Sequence, residues 1–156
     1  MSITINIPGI PAPGGSKRGF VVGGRVRIVD ACKRNAPWRA VVALAAKQQY
    51  QGPPLIGPLD VTFRFAMPRP KSHFRTGKRS NELRDDAPLY HTGAPDTTKL
   101  VRAAEDACTG ILWVDDKQIA LQVAGKVYDD RPGLTLTVSE IRRNWAEIVE
   151  KAGAEK

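Results

Sequence analysis

Cysteine and histidine are scarce in this chain, with two of each among 156 residues. Cys32 and Cys108 lie far apart, and neither His73 nor His91 sits in the close spacing from which zinc sites are built. Neither a disulfide framework nor a zinc site is therefore expected, and the thiols read as reduced groups of a cytoplasmic protein. Long apolar runs are missing as well. No stretch approaches the ~20 residues that cross a bilayer as a helix, and the opening MSITINIPGI carries neither the basic start nor the apolar centre of a secretion signal. There is no GxGxxG turn and no P-loop, so no nucleotide cofactor is expected. Internal repeats and low-complexity tracts are also lacking. Acidic residues are outnumbered, 16 Asp and Glu against 24 Lys and Arg, for a net charge of +8. That excess favours a polyanionic partner, because each neutralised phosphate releases condensed counterions. Charge alone fits an ordinary basic protein equally well.

What is present fits one domain spanning residues 1–156, with 42% hydrophobic content to build its core. Residues 3–7 alternate apolar and polar as a half-buried strand does, and the Pro/Gly-rich run through Gly15 ends it. Residues 20–22 and 25–29 flank Gly23-Gly24, the signature of a tight hairpin. Asn35 reads as a helix cap and Pro37 as a first-turn proline. The helix they open is expected over residues 38–50, with Trp38, Val41, Val42, Ala45 and Ala46 inward. Residues 59–65 alternate again as a strand. Residues 67–94 form a long polar segment, an expected loop carrying Arg69, Lys71, Arg75, Lys78, Arg79 and Arg84. A second helix is expected from Pro95 to about Thr109, with Leu100, Ala104, Ala107, Cys108 and Ile111 at core spacing. Strands over 119–127 and 134–138 and a tail helix from Arg142 complete an α+β fold, its small sheet mixed or antiparallel with two main helices packed on it.

Two acidic groups stand out against this basic background: Asp96, at the start of the second helix, and Asp115-Asp116, just before a strand. Carboxylates beside a positively charged surface are what metal-assisted phosphodiester hydrolysis requires, since Mg²⁺ takes hard oxygen ligands. The same residues fit structural roles: Asp96 as a helix cap, Asp115-Asp116 as a turn. Asp106, four residues after Arg102, fits an exposed ion pair with it. Lys99 and Arg102 fit a solvated surface.

Residues 95–119, PDTTKLVRAAEDACTGILWVDDKQI, resemble the core motif of the RusA-type Holliday-junction resolvases. That motif runs Pro-Asp-x-Asp-Asn/Lys-Leu, then Lys/Arg-Ala and a helix containing Asp, and continues through Gly and an aromatic to Asp-Asp-x-Gln-Val. Softer similarity extends over residues 3–140, including the GlySerLysArg segment and ProArgProLysSerHis after the central strand. The resemblance implies a small homodimer that cuts four-way or other branched DNA with Mg²⁺ or Mn²⁺ and binds no membrane. Asp96 matches the first motif carboxylate, Asp116 the second residue of the Asp-Asp pair, Asp115 its neighbour, and Asp106 the helix aspartate. Arg102 stands where a functional lysine usually lies. The second motif carboxylate is replaced by Thr98, a neutral and weaker ligand. That departure implies a slower enzyme, a ligand set shifted to include Asp115, or a protein that binds junctions without cutting them.

On this reading Asp96 and Asp116 are metal ligands, Asp115 is a third ligand or an orienting neighbour, and Arg102 and Lys99 stabilise charge on the phosphate. Lys17, Arg18, Arg25 and Arg27, with the basic residues of 69–84, are expected to follow the DNA backbone, and Phe74 either wedges a branch point or packs locally. A second helix of about 14 residues separates its ends by ~21 Å, too far for both carboxylate positions to share one ion. Either residues 109–114 fold back along the helix, or Asp96 of one subunit meets Asp116 of another.

Overall fold

The computed structural model describes residues 2–141; the tail helix expected from Arg142 lies outside the described residues. Strand β1 (Ser2–Pro8) alternates as its sequence dictates, with Ile3, Ile5 and Ile7 buried. Strands β2 (Lys17–Val22) and β3 (Arg25–Asp30) pair antiparallel around Gly23-Gly24. Both glycines have positive φ, 56° and 74°, which the tight turn demands and a side chain would oppose. Helix α1 (Asn35–Gln49) follows, then β4 (Leu59–Pro68), helix α2 (Thr97–Cys108), β5 (Ile119–Asp129) and β6 (Gly133–Glu140). This is the expected α+β element order.

One sheet runs β1-β6-β4-β5, and β2-β3 form a separate two-stranded ribbon. β6 pairs antiparallel with β1 and β4, whereas β4 and β5 are parallel. The sheet is therefore mixed, and the crossover between its parallel strands carries the long loop and α2. Alternation in β4 and β6 buries Leu59, Val61, Phe63, Phe65, Leu134, Leu136 and Val138 beneath the helices. α1 contributes Trp38, Val42, Ala45 and Ala46 to this core, and α2 contributes Leu100, Val101, Ala103, Ala104, Ala107 and Cys108. The opposite sheet face is polar, with Thr4 bonded to Thr137 at 3.2 Å and Arg64 to Asp129 at 3.3 Å.

Several expectations about the helices need correction. Arg34, not Asn35, holds the N-cap position of α1. The Asn35 side chain is buried and donates from Nδ2 to Asp30 at 3.2 Å, tying the helix to the end of the hairpin. Val41 falls on the flank of the apolar stripe and is exposed. The stripe of α2 is wider than expected because the helix packs on α1 as well as β5, which buries Val101 and Ala103 too. Ile111 lies beyond the helix, half-buried in the following turn.

Cys108 is fully buried, and burial pushes its thiol up to about 12, while Cys32 is partly exposed. The thiolate is the reactive form. One thiol per chain should therefore titrate readily with a disulfide reagent at pH 8, and two after denaturation. Two fast thiols in the native protein would contradict this packing of α2.

Candidate functional site

The structure places Asp96 at the N-cap position of α2, with extended backbone (φ −63°, ψ 141°), but its side chain makes no capping hydrogen bond. The carboxylate is 65% exposed and its ion-pair partner is Lys99, 3.3 Å away. A residue in the capping position that does not cap keeps its oxygens for another ligand. A second ammonium group stands close by. Lys126 reaches from β5 to the start of α2 and donates to the carbonyls of Gly93 and Pro95, both at 2.7 Å. Lys126 drew no notice in the sequence because its partners are backbone carbonyls some thirty residues away, brought near by the α2–β5 packing.

Asp115 is used differently. It caps the short 3-10 turn Asp116–Gln118, accepting the Lys117 N–H at 3.0 Å, and its other oxygen lies 3.0 Å from the Lys117 ammonium. The Lys117 backbone bond, followed by the Lys117 side chain, holds the Asp115 carboxyl below its usual range. Gln118 completes a capping box: its Oε1 accepts from the N–H groups of Val114 and Asp115, both at 2.9 Å. Its amide donates to Leu55 and Gly57, which anchors the turn to the loop before β4. Asp116 opens this braced turn and is exposed.

Between the two acidic groups lies Glu105, which the sequence reading passed over. It is half-buried on α2 and accepts a hydrogen bond from Gln122 of β5 at 2.5 Å. Burial raises its carboxyl above the usual value of 4.5; the Gln122 bond opposes this, and the charges of Asp116 and Asp106 add to it. A carboxyl raised in the folded state holds its proton longer there than in the unfolded chain. Stability contributed by the protonated form is then lost as pH rises from about 4.5 through the raised value. Glu105→Gln should accordingly raise the melting temperature at pH 7 and have little effect at pH 4, in metal-free buffer. Melts showing the reverse order would place Glu105 in an environment that favours its charge.

Arg102 does not pair with Asp106 as its spacing suggested. It lies instead against Gly15, where an added Cβ would come within 2.8 Å of the Arg102 Cδ, so the Gly-rich segment after β1 seats directly on this helix face. Gly15 also has φ +80°, which independently favours glycine. The neighbouring Gly14 N–H donates to the Lys99 carbonyl at 2.9 Å. Asp106 faces Arg39 of α1 at 3.8 Å. Thr98 is exposed in the first turn of α2, two positions from Asp96.

The expected long loop is built rather than structureless. Two 3-10 turns, Lys71–His73 and Gly77–Arg79, and a Phe74–Leu83 bridge fold it on itself. Phe74 is half-buried, and its backbone bridges to Leu83. Arg75 pairs with Asp85 at 2.6 Å, Arg79 with Glu82 at 2.6 Å, and Arg84 with Asp86 at 2.8 Å. Arg69 lies 5.6 Å over the Tyr128 ring and donates to the Pro88 carbonyl. Lys71 and Lys78 are exposed. Half of the six cations in this segment are thus met by acids of the same segment.

Oxygen donors of the kind a hard divalent cation takes are present at Asp96, Asp115 and Asp116. Among the described residues no group of three or more Asp, Glu, His or Cys side chains is placed to hold a metal. Asp96 and Asp116 sit toward opposite ends of α2. The turn after α2, closed by Gly110 N–H to Trp113 carbonyl at 2.7 Å, returns Asp116 within electrostatic reach of Glu105. Glu105 is nine positions after Asp96, about 14 Å along the helix axis. Ligands of a single Mg²⁺ lie ~2.1 Å from it.

The family model described as endodeoxyribonuclease RusA matches residues 8–139. The chain belongs to the RusA endodeoxyribonuclease family. Asp96, Thr98, Arg102, Asp115 and Asp116 all fall within the span matched to RusA, as do both helices and the hairpin. A relative from Bacillus subtilis (strain 168), the uncharacterized protein YqaN, is 27% identical over 139 residues, covering 89% of this chain and 96% of the relative. Among the described residues no helix is long and apolar enough to cross a membrane.

Proposed function

We propose that this protein is a cytoplasmic endodeoxyribonuclease that cuts four-way or other branched DNA in recombination or repair, as a homodimer dependent on Mg²⁺ or Mn²⁺. The observation that carries this reading is Asp96: a carboxylate at a helix start, within the RusA motif, unspent on capping and flanked by cations. Asp96 and Asp116 would hold the cation as direct oxygen ligands, drawn from two subunits, and the cation would supply Lewis acidity toward the phosphate and the attacking water. Asp115 acts on its neighbour rather than on the ion, since its cap fixes the turn that presents Asp116. Arg102, seated against Gly15, and Lys99 supply positive charge against the negative charge that grows on the phosphate oxygens. The test is a labelled synthetic four-way junction incubated with and without Mg²⁺: paired nicks only with metal support the reading, and an intact junction under both conditions overturns it.

Thr98 favours a second reading, a junction-binding protein of the same fold with weakened catalysis. An exposed hydroxyl stands where the motif has a carboxylate, so one anionic ligand is missing. Thr98→Asp should restore it, lowering the Mg²⁺ concentration for half-maximal cutting by roughly 10-fold, a step worth ~1.4 kcal/mol. The position is exposed, so the variant is expected to fold. An unchanged metal titration would mean that the ligand set has moved away from this helix turn.

A further inference from the structure

The β2–β3 hairpin stands apart from the core, since every residue from Lys17 to Val29 is exposed. Its register sorts those residues into two unlike faces, because directly paired residues share a face and faces alternate along each strand. Lys17 pairs with Asp30, Gly19 with Ile28, and Val21 with Val26, giving one face that is apolar apart from the Lys17–Asp30 ion pair at 2.6 Å. Arg18 pairs with Val29, Phe20 with Arg27, and Val22 with Arg25, giving a second face with three guanidinium groups. Asp30 is the hairpin's one acid, and it belongs to the other face. Among the described residues Arg18, Arg25 and Arg27 make no ion pair, in contrast to Arg75, Arg79 and Arg84 of the long loop. Arg25 and Arg27 are ~6.8 Å apart along the strand, so their fields add within a Debye length.

The hairpin's root ties this face to the candidate site. Ser16 accepts from the Ala31 N–H at 2.8 Å at the base of the ribbon, and the adjoining Gly14 and Gly15 lie on α2 against Lys99 and Arg102. We propose that the hairpin is a DNA-gripping arm whose Arg18, Arg25 and Arg27 face binds backbone phosphates of the duplex flanking the cut. The long loop, three of its four arginines met by its own acids, contributes less. This rests on the nuclease reading above and assigns the principal phosphate contacts within it.

The experiment measures affinity for linear duplex and for a four-way junction over a salt series, in EDTA so that no cutting occurs. Each lost phosphate contact lowers the slope of log affinity against log salt by ~0.9. The variant Arg18→Gln/Arg25→Gln/Arg27→Gln should reduce the slope by about 2.7, so that wild type loses roughly 40-fold more affinity than the variant between about 50 and 200 mM salt. Val21→Thr/Val26→Thr/Ile28→Thr, on the other face, should leave the slope unchanged, and Arg75→Gln/Arg79→Gln/Arg84→Gln should lower it less than the hairpin variant does. Near-wild-type melting temperatures in both hairpin variants would confirm that the core is intact. Wild-type protein that binds neither DNA overturns the nuclease reading and the arm together. Wild-type binding with an undiminished slope in the arginine variant, or a larger loss in the loop variant, overturns the arm alone.

Discussion

Asp96→Asn and Asp116→Asn should each reduce single-turnover cutting of a four-way junction by at least ~100-fold while leaving junction binding intact or a few-fold tighter. The magnitude follows from metal-site energetics: groups that merely orient a metal's ligands are worth ~10–100-fold, so a direct carboxylate ligand is worth no less. The direction of the binding change follows from charge. Without metal, each carboxylate repels the phosphate it is meant to face, and an opposing charge at close range in water is worth ~1 kcal/mol, about 5-fold. Folding should be unaffected in both cases. Asp96 makes no capping bond whose loss could fray α2. Asp116 is exposed, and the turn that carries it is held by Asp115 and Gln118. Binding by mobility shift and nicking on a denaturing gel read the two effects separately. Near-wild-type nicking in either variant removes that residue from the ligand set, and weakened binding with intact nicking assigns it to DNA contact.

What was legible in the sequence was periodic or local. Strict alternation located β1 and β4, Gly23-Gly24 located the hairpin, and the spacing of Leu100, Ala104, Ala107 and Cys108 located α2. The misjudged features depend on partners remote in sequence. Asn35 looks like a cap in isolation, but its amide bonds Asp30 across the hairpin's end. Arg102 and Asp106 have ion-pair spacing, yet Gly15 draws the first and Arg39 the second. Glu105 and Lys126 had no local signal because each acquires its setting from the packing of β5 against α2. The motif carboxylates were legible as residues; which of them is spent on local structure was not. Asp115 caps in the turn that Gln118 braces, whereas Asp96, in a cap position, does not.

The separation of Asp96 from Asp116 leads to the prediction with the sharpest outcome. α2 is 12 residues long, the turn after it returns Asp116 within electrostatic reach of Glu105, and Glu105 itself stands about 14 Å along the helix from Asp96. Two carboxylates bound to one ion have their oxygens within about twice the ~2.1 Å ligand distance, a closeness that a pair drawn from two subunits meets without the turn after α2 having to span the helix. A two-fold axis that sets α2 of one subunit antiparallel to α2 of the other would place each Asp96 beside the partner's Asp116, making two equal sites. Such a dimer suits paired cuts on a four-way junction, and its separated monomers would be inactive. A purified heterodimer of one Asp96→Asn chain and one Asp116→Asn chain distinguishes the arrangements. With shared sites, one site receives both intact carboxylates and the other receives neither, so the heterodimer should nick a single strand at about half the wild-type rate per dimer while both parent homodimers stay inactive. With sites confined to one chain, each site lacks a ligand, and a verified heterodimer that cuts no better than its parents would rule out sharing.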